Sequence, residues 1–177
     1  MVLEEKTIKS DKIYTGKILS LRVDTVEIPE NGYSKREIVE HGGAVGIVAI
    51  TDEDKLVLVK QYRKPIEKAI IELPAGKLEI GENPKECAMR ELKEETGYTA
   101  ENLKLIHKFY STAGFSNEQI FIYIASGLTP GETKYDRDEF IDVMEVDLAE
   151  AYDMVMKNEI EDAKTSIGIL MAKNILK

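Results

Sequence analysis

The chain has 177 residues, of which 43% are hydrophobic and 32% are charged. This length and composition are typical of one globular core with at most a small appendage, and they exclude a disordered chain. With 24 basic and 33 acidic residues the formal net charge is −9, which disfavours a protein that follows the phosphate backbone of a nucleic acid polymer.

Cysteine usage and hydropathy add two expectations about the cellular environment. The single cysteine, Cys87, excludes an internal disulfide and is compatible with a reducing compartment. No apolar run approaches the ~20 residues that a membrane-spanning helix needs, and the amino terminus lacks a secretory pattern. We therefore expect a cytoplasmic protein that has no contact with a membrane.

The first 43 residues predict a small antiparallel sheet. Strands are expected at 6–14, 19–28 and 34–41, and the clearest turn between them is Asn31-Gly32, a pair that supplies the positive φ of a hairpin. Three strands alone bury too little apolar surface to be stable. This sheet must therefore pack on the main domain or on a second copy of the chain.

The rest of the chain predicts strands with interspersed helices. Residues 44–50 are apolar on both faces, which is typical of a central strand covered on both sides. Further strands are expected at 55–62, 103–110, 119–125 and 140–146, and further helices at 148–157 and 162–176. This order favours an α/β fold with a mixed sheet between helical layers.

A helix over residues 84–96 has well-marked ends. Asn83 suits the N-cap, Pro84 suits the first helical position, and Gly97 suits the left-handed exit. The helix is therefore predicted from its caps as well as from its composition.

Three carboxylates share one face of this helix. Glu91, Glu94 and Glu95 span an arc of about 100°. Carboxylates at this spacing repel each other, and the helix dipole opposes negative charge in the second half of a helix. A bound divalent cation would offset both costs, and carboxylate oxygens suit Mg²⁺ or Mn²⁺. The alternative is a solvated acidic face, the usual meaning of a glutamate-rich helix.

The loop and helix together resemble a known signature. Gly76, Glu82 and residues 90–97 (Arg-Glu-Leu-Lys-Glu-Glu-Thr-Gly) match the Nudix box of the Nudix hydrolase superfamily, with Tyr98 where an aliphatic residue is usual. The resemblance implies a Nudix hydrolase domain at 44–177, with the family's α/β/α sandwich and mixed sheet. Residues 1–43 would precede it as a small antiparallel β-sheet subdomain used for dimerisation.

The resemblance also implies a set of metal ligands. Glu91 and Glu95 would bind metal with Glu94 close by, and the backbone carbonyl of Ala75 would be a further ligand. Glu82 would either tie the loop to the helix or join the metal shell through water. Two or three Mg²⁺ or Mn²⁺ ions per active site are expected.

Segments outside the box resemble one branch of the superfamily. Residues 61–63 (Gln-Tyr-Arg) and 71–76 (Ile-Glu-Leu-Pro-Ala-Gly) are similar to the ADP-ribose pyrophosphatase branch. In that branch an N-terminal sheet helps to build a homodimer with a shared active site. Such a dimer would cover the apolar side of the first 43 residues. The substrate-binding candidates are Arg63, Arg36 from the partner chain, Glu72, Gly114 and Glu118.

Several of these roles have alternatives. Arg63 and Arg36 could each form a surface salt bridge instead, and Glu72 could hydrogen-bond either the ligand or the backbone. The branch commonly has Ser-Pro-Gly after the box, whereas Ala113 stands here where the proline would fall, before Gly114. Because proline stiffens a loop, its loss leaves other nucleoside diphosphate sugars open as substrates.

The predicted activity is metal-dependent hydrolysis of ADP-ribose to AMP and ribose 5-phosphate. Divalent ions would neutralise the diphosphate, and a carboxylate from a loop after the box would activate water. Glu139 is the first candidate for that base, followed by Asp138 and Asp136, while Arg90 would orient a glutamate. The alternatives are hydrolysis of another nucleoside diphosphate sugar or a dinucleoside polyphosphate, or a non-catalytic domain that senses ADP-ribose. Such sensors usually lose box carboxylates, and none is lost here.

Overall fold

The structure is a computed structural model that describes residues 4–29, 32–134 and 140–176. The chain divides into two compact units. One unit groups the residues up to Gly43 with Tyr110–Gln119, and the other contains Ala44–Phe109 and the residues from Ile120 onward. The sequence predicts a boundary between residues 43 and 44, but it does not predict that Tyr110–Gln119 belong to the N-terminal unit.

The N-terminal unit contains a three-stranded antiparallel sheet in the order β1-β2-β3. Its strands are β1 (Lys6–Thr15), β2 (Leu19–Ile28) and β3 (Gly32–His41). Gly32 has a φ of 81°, which a glycine adopts without strain at this turn. Every residue of β1 is exposed.

The main unit is built on a mixed sheet, as the sequence predicts. Its strands are β4 (Ala44–Ile50), β5 (Lys55–Arg63), β6 (Lys68–Glu72), β7 (Ala75–Lys77), β8 (Thr99–Tyr110), β9 (Gln119–Thr129) and β10 (Ile141–Asp147). The order is β10-β5-β4-β9-β8, with β6 paired to β5 and β7 paired to β4. The pairing of β4 with β9 is parallel, whereas β4 pairs with β5 in the antiparallel sense.

Helices cover both faces of this sheet. They are α1 (Pro84–Thr96), α2 (Leu148–Met156) and α3 (Ala163–Ile175), and a short 3₁₀ turn spans Lys64–Ile66. Leu58 and Ile122 lie in a buried cluster with Ile169 of α3, whereas Ile47 and Tyr123 lie in a second cluster with residues of α1. The predicted α/β/α layering is confirmed. No helix among the described residues is long and apolar enough to cross a membrane.

Candidate active site

The helix α1 begins and ends where its caps predict. The side chain of Asn83 accepts a hydrogen bond from the backbone N–H of Lys85 at 2.9 Å, and Pro84 occupies the first turn. Gly97 closes the helix with a φ of 76° and donates its backbone N–H to the carbonyl of Lys93. These caps fix the start of the helix, and therefore the rotation at which its glutamates emerge.

Arg90 is hydrogen-bonded to three carboxylates of the site. Its Nε and Nη2 donate to the two oxygens of Glu82, each at 3.0 Å. Its Nη1 donates to Glu91 at 2.7 Å and to Glu94 at 3.0 Å. Arg90 therefore offsets the repulsion among these glutamates, and its hydrogen bonds lower the pKa of Glu82 to about 2.

Glu91 projects over the loop that precedes the helix. A Cβ built on Gly76 would lie 1.8 Å from Cδ of Glu91, far inside van der Waals contact. The absence of a side chain at residue 76 is therefore what leaves room for this carboxylate.

Glu95 faces inward from the same helix. Its side chain is buried, with 4% of the residue exposed, and it accepts a hydrogen bond from the backbone N–H of Ala75 at 2.9 Å. This bond joins α1 to β7 at the residue whose carbonyl is a predicted metal ligand. The carboxylate is thus held against the loop, and it does not form part of a solvated face.

Glu82 ties the loop to the helix. One of its oxygens also accepts the backbone N–H of Glu79 at 2.9 Å, while Arg90 Nη2 donates to the carbonyl of Lys77 at 3.4 Å. The thiol of Cys87 donates to that same carbonyl at 3.5 Å. Of the two roles that the sequence left open for Glu82, these contacts support the structural one.

The oxygen donors of the site match the ligands that a divalent cation prefers. Among the described residues, no group of three or more His, Cys, Asp and Glu side chains is gathered as a metal-binding cluster. The carboxylates of Glu91 and Glu94 instead share Arg90 Nη1. The donor set on this face of α1 nevertheless consists of carboxylate oxygens, and Gly76 leaves space beside one of them. Its chemistry therefore fits Mg²⁺ or Mn²⁺, and the individual metal-binding roles stay predictions.

A second charged network in the main unit centres on Glu72. This residue is 1% exposed and binds Arg63 through two parallel hydrogen bonds, Nε to Oε1 at 2.5 Å and Nη2 to Oε2 at 2.8 Å. Lys164 donates to the same Oε2. Burial by itself raises the pKa of Glu72, but Arg63 and Lys164 outweigh it and the net pKa is lowered. Arg63 therefore forms a salt bridge, but its partner Glu72 is buried and does not lie on the surface.

The other substrate-binding candidates belong to the N-terminal unit. Arg36 binds Glu5 through two hydrogen bonds of 2.6 and 2.9 Å. Glu118 accepts the hydroxyl of Ser111 at 2.5 Å. Among the described residues, no heavy atom beyond Gly114 and its two chain neighbours lies within 4 Å of the position that a Cβ on Gly114 would take. The proposed roles of Arg36, Gly114 and Glu118 stay predictions.

The structure does not describe the residues that are candidates for the catalytic base. Glu139, Asp138 and Asp136 all lie outside the described residues. The choice among them therefore remains a prediction from the sequence.

Sequence reasoning missed three residues at the start of α3. Asp162 caps this helix by accepting the backbone N–H of Thr165, and it also binds Lys164. An aspartate before a helical pattern does predict a cap. The partner of Lys164, however, lies 92 residues earlier in the chain, so no local signal could have revealed the pair.

The chain belongs to the Nudix family. A model of the NUDIX domain matches residues 40–166. The chain is 51% identical over 169 residues to an ADP-ribose pyrophosphatase of Bacillus subtilis (strain 168), covering 94% of this chain and 91% of that protein. It is 49% identical over 170 residues to a methanol dehydrogenase activator of Bacillus methanolicus, covering 95% and 92%. A crystal structure of an ADP compounds hydrolase superimposes with a TM-score of 0.88 at 22% identity, covering 99% of this chain and 96% of that one, which shows the fold.

Proposed function

We propose that this protein hydrolyses the diphosphate bond of ADP-ribose, giving AMP and ribose 5-phosphate. The observation that carries the proposal is the complete glutamate cluster around Arg90, with Glu91 seated over Gly76 and Glu95 bonded to Ala75. A relative of 51% identity that bears the name ADP-ribose pyrophosphatase supports the choice of substrate.

The metal would be held by the helix and the loop beside it. Glu91 and Glu95, with Glu94 nearby and the carbonyl of Ala75, would bind two or three Mg²⁺ or Mn²⁺ ions. When bound, such ions supply charge neutralisation for a diphosphate and lower the pKa of water. Glu82 acts indirectly and does not bind the metal itself, because its carboxylate ties the loop to Arg90.

The side chains of the protein bind and orient the substrate. Arg90 keeps the box carboxylates aligned, since it hydrogen-bonds three of them. Arg63 is 41% exposed at its side chain, so the guanidinium edge that Glu72 does not contact can donate hydrogen bonds to a phosphate oxygen. Glu139, with Asp138 and Asp136 as further candidates, would take the proton of the attacking water.

We propose further that the protein is a homodimer with a shared active site. Support comes from β1, which is exposed along its whole length and carries Ile8, Ile13 and Tyr14 on its surface. An exposed edge strand that carries apolar side chains can pair with another chain, and a second copy would cover it and bring Arg36 to the partner's site. Light scattering of the purified protein tests this, and a monomer at micromolar concentration would contradict it. A cytoplasmic location, with Cys87 reduced, is part of the same proposal.

A substrate panel tests the proposed activity. Purified protein is incubated with Mg²⁺ and ADP-ribose, and the products are separated by anion-exchange chromatography. We expect AMP and ribose 5-phosphate in equal amounts, and none when EDTA replaces Mg²⁺. The same assay is run with alternative substrates, namely GDP-mannose, other nucleoside diphosphate sugars and a dinucleoside polyphosphate. Faster turnover of one of these would assign the alternative substrate, and binding of ADP-ribose without turnover would indicate a sensor.

A further inference from the structure

Lys164 occupies an unfavourable position for a lysine. It lies in the first turn of α3, where the helix dipole disfavours a positive charge. Its side chain is only 11% exposed, so it also loses hydration and rotamer freedom. The helix dipole and the loss of hydration both destabilise a lysine here, so a specific partner is needed to offset them. That partner is the buried Glu72.

The bond from Lys164 determines how Glu72 is held. Oε2 of Glu72 receives both Lys164 Nζ and Arg63 Nη2, whereas Oε1 receives Arg63 Nε. Two parallel bonds make the carboxylate and the guanidinium coplanar. A cation fixed on Oε2 therefore sets the rotation of the carboxylate, and through it the plane of Arg63.

The start of α3 is itself anchored beside this carboxylate. Asp162 Oδ2 accepts Lys164 Nζ at 3.0 Å, the backbone N–H of Thr165 at 2.9 Å and the Thr165 hydroxyl at 2.6 Å. Thr165 Oγ1 in turn accepts the backbone N–H of Leu73 at 2.8 Å. The ammonium of Lys164 is thus bound by the cap residue of its own helix, and Thr165 joins the same turn to the residue that follows Glu72.

We infer that Lys164 is a positioning residue that acts through Glu72 to orient the guanidinium of Arg63 toward the diphosphate of the substrate. The inference rests on the proposed function for the identity of that substrate. Residues Asp162–Thr165 then hold Lys164 in place and so orient Arg63, which lies about a hundred residues earlier in the chain.

A spectroscopic test needs no substrate. In ¹⁵N-labelled protein the Nε–H signal of Arg63, assigned by its loss in Arg63→Lys, reports the bond to Glu72. We expect slow solvent exchange of this proton in the wild type and in Lys164→Arg, and faster exchange in Lys164→Met. Lys68→Met is the matched control, because it removes the same charge from the exposed pair between Lys68 and Glu161. Unchanged exchange in Lys164→Met would overturn the inference.

A kinetic cycle tests the consequence for the substrate. We expect Lys164→Met to raise KM for ADP-ribose about tenfold with little change in kcat, whereas Lys164→Arg and Lys68→Met stay near the wild type. In an Arg63→Ala background the same substitution should add little, because its effect passes through Arg63. If the effects of Lys164→Met and Arg63→Ala multiplied in the double variant, the inference would be overturned. A loss in Lys164→Arg as large as that in Lys164→Met would also overturn it. Failure of the wild type to hydrolyse ADP-ribose would overturn the proposed function instead, and the exchange experiment would still decide how Arg63 is held.

Discussion

The carboxylate of Glu91 lies directly over the Cα of Gly76. A Cβ at residue 76 would stand 1.8 Å from Cδ and 1.9 Å from Oε1 of Glu91. The requirement for glycine at this position is therefore one of space. It couples the loop before α1 to the orientation of a predicted metal ligand.

Replacing Gly76 by alanine should displace Glu91 and abolish most of the activity. The new methyl group forces the carboxylate away from the loop and strains its bond to Arg90. We expect kcat/KM for ADP-ribose to fall about 100-fold, the scale of a misplaced catalytic geometry. Circular dichroism should show an intact fold. In a Glu91→Gln background the same change should cost little more, and activity near the wild type in Gly76→Ala would contradict the argument.

Replacing Glu95 by glutamine should lower turnover with the fold intact. The amide oxygen can still accept the backbone N–H of Ala75, but the negative charge for a metal is lost. We expect kcat to fall about 100-fold or more, since outer-shell changes alone cost about 10- to 100-fold. Glu86→Gln on the exposed first turn of α1 is the matched control. Similar turnover in the two variants would argue against a metal-binding role for Glu95.

The thiol of Cys87 should be unreactive in the folded protein. Burial, reinforced by the negative charge of Glu82, raises its pKa to about 12, so at pH 8 the reactive thiolate is scarce. We expect slow reaction with Ellman's reagent under native conditions and one thiol per chain in guanidinium. Because Cys87 is the only cysteine, the signal is unambiguous, and rapid labelling of the folded protein would contradict its burial.

The pair between Glu82 and Arg90 should make stability depend on pH in acid. Arg90 lowers the pKa of Glu82 from 4.5 to about 2, so the folded state favours the ionised carboxylate. Its contribution is full above pH 4.5 and is lost as the pH falls toward 2. In EDTA, the excess in Tm of the wild type over Glu82→Gln should shrink across this window. The comparison of the wild type with Glu86→Gln controls for the loss of one charge, and a constant excess would contradict the pairing.

The sequence by itself determined the parts of the protein that depend on near neighbours. Asn83, Pro84 and Gly97 predicted both ends of α1, because caps act within one turn of a helix. The spacing of Glu91 and Glu95 predicted a shared face, because residues four apart are neighbours on any helix. The apolar run at 44–50 predicted a central strand, which β4 is.

Only the tertiary structure decided which distant groups meet. It paired Glu72 with Lys164 across 92 residues, buried Glu95 against Ala75 and set Glu91 over Gly76. It also assigned the short strands β6 and β7, which lack a periodic pattern of their own and exist through pairing with β5 and β4. Such contacts depend on where packed elements bring side chains together, and the free energy of a buried ion pair depends on that enclosure rather than on local sequence.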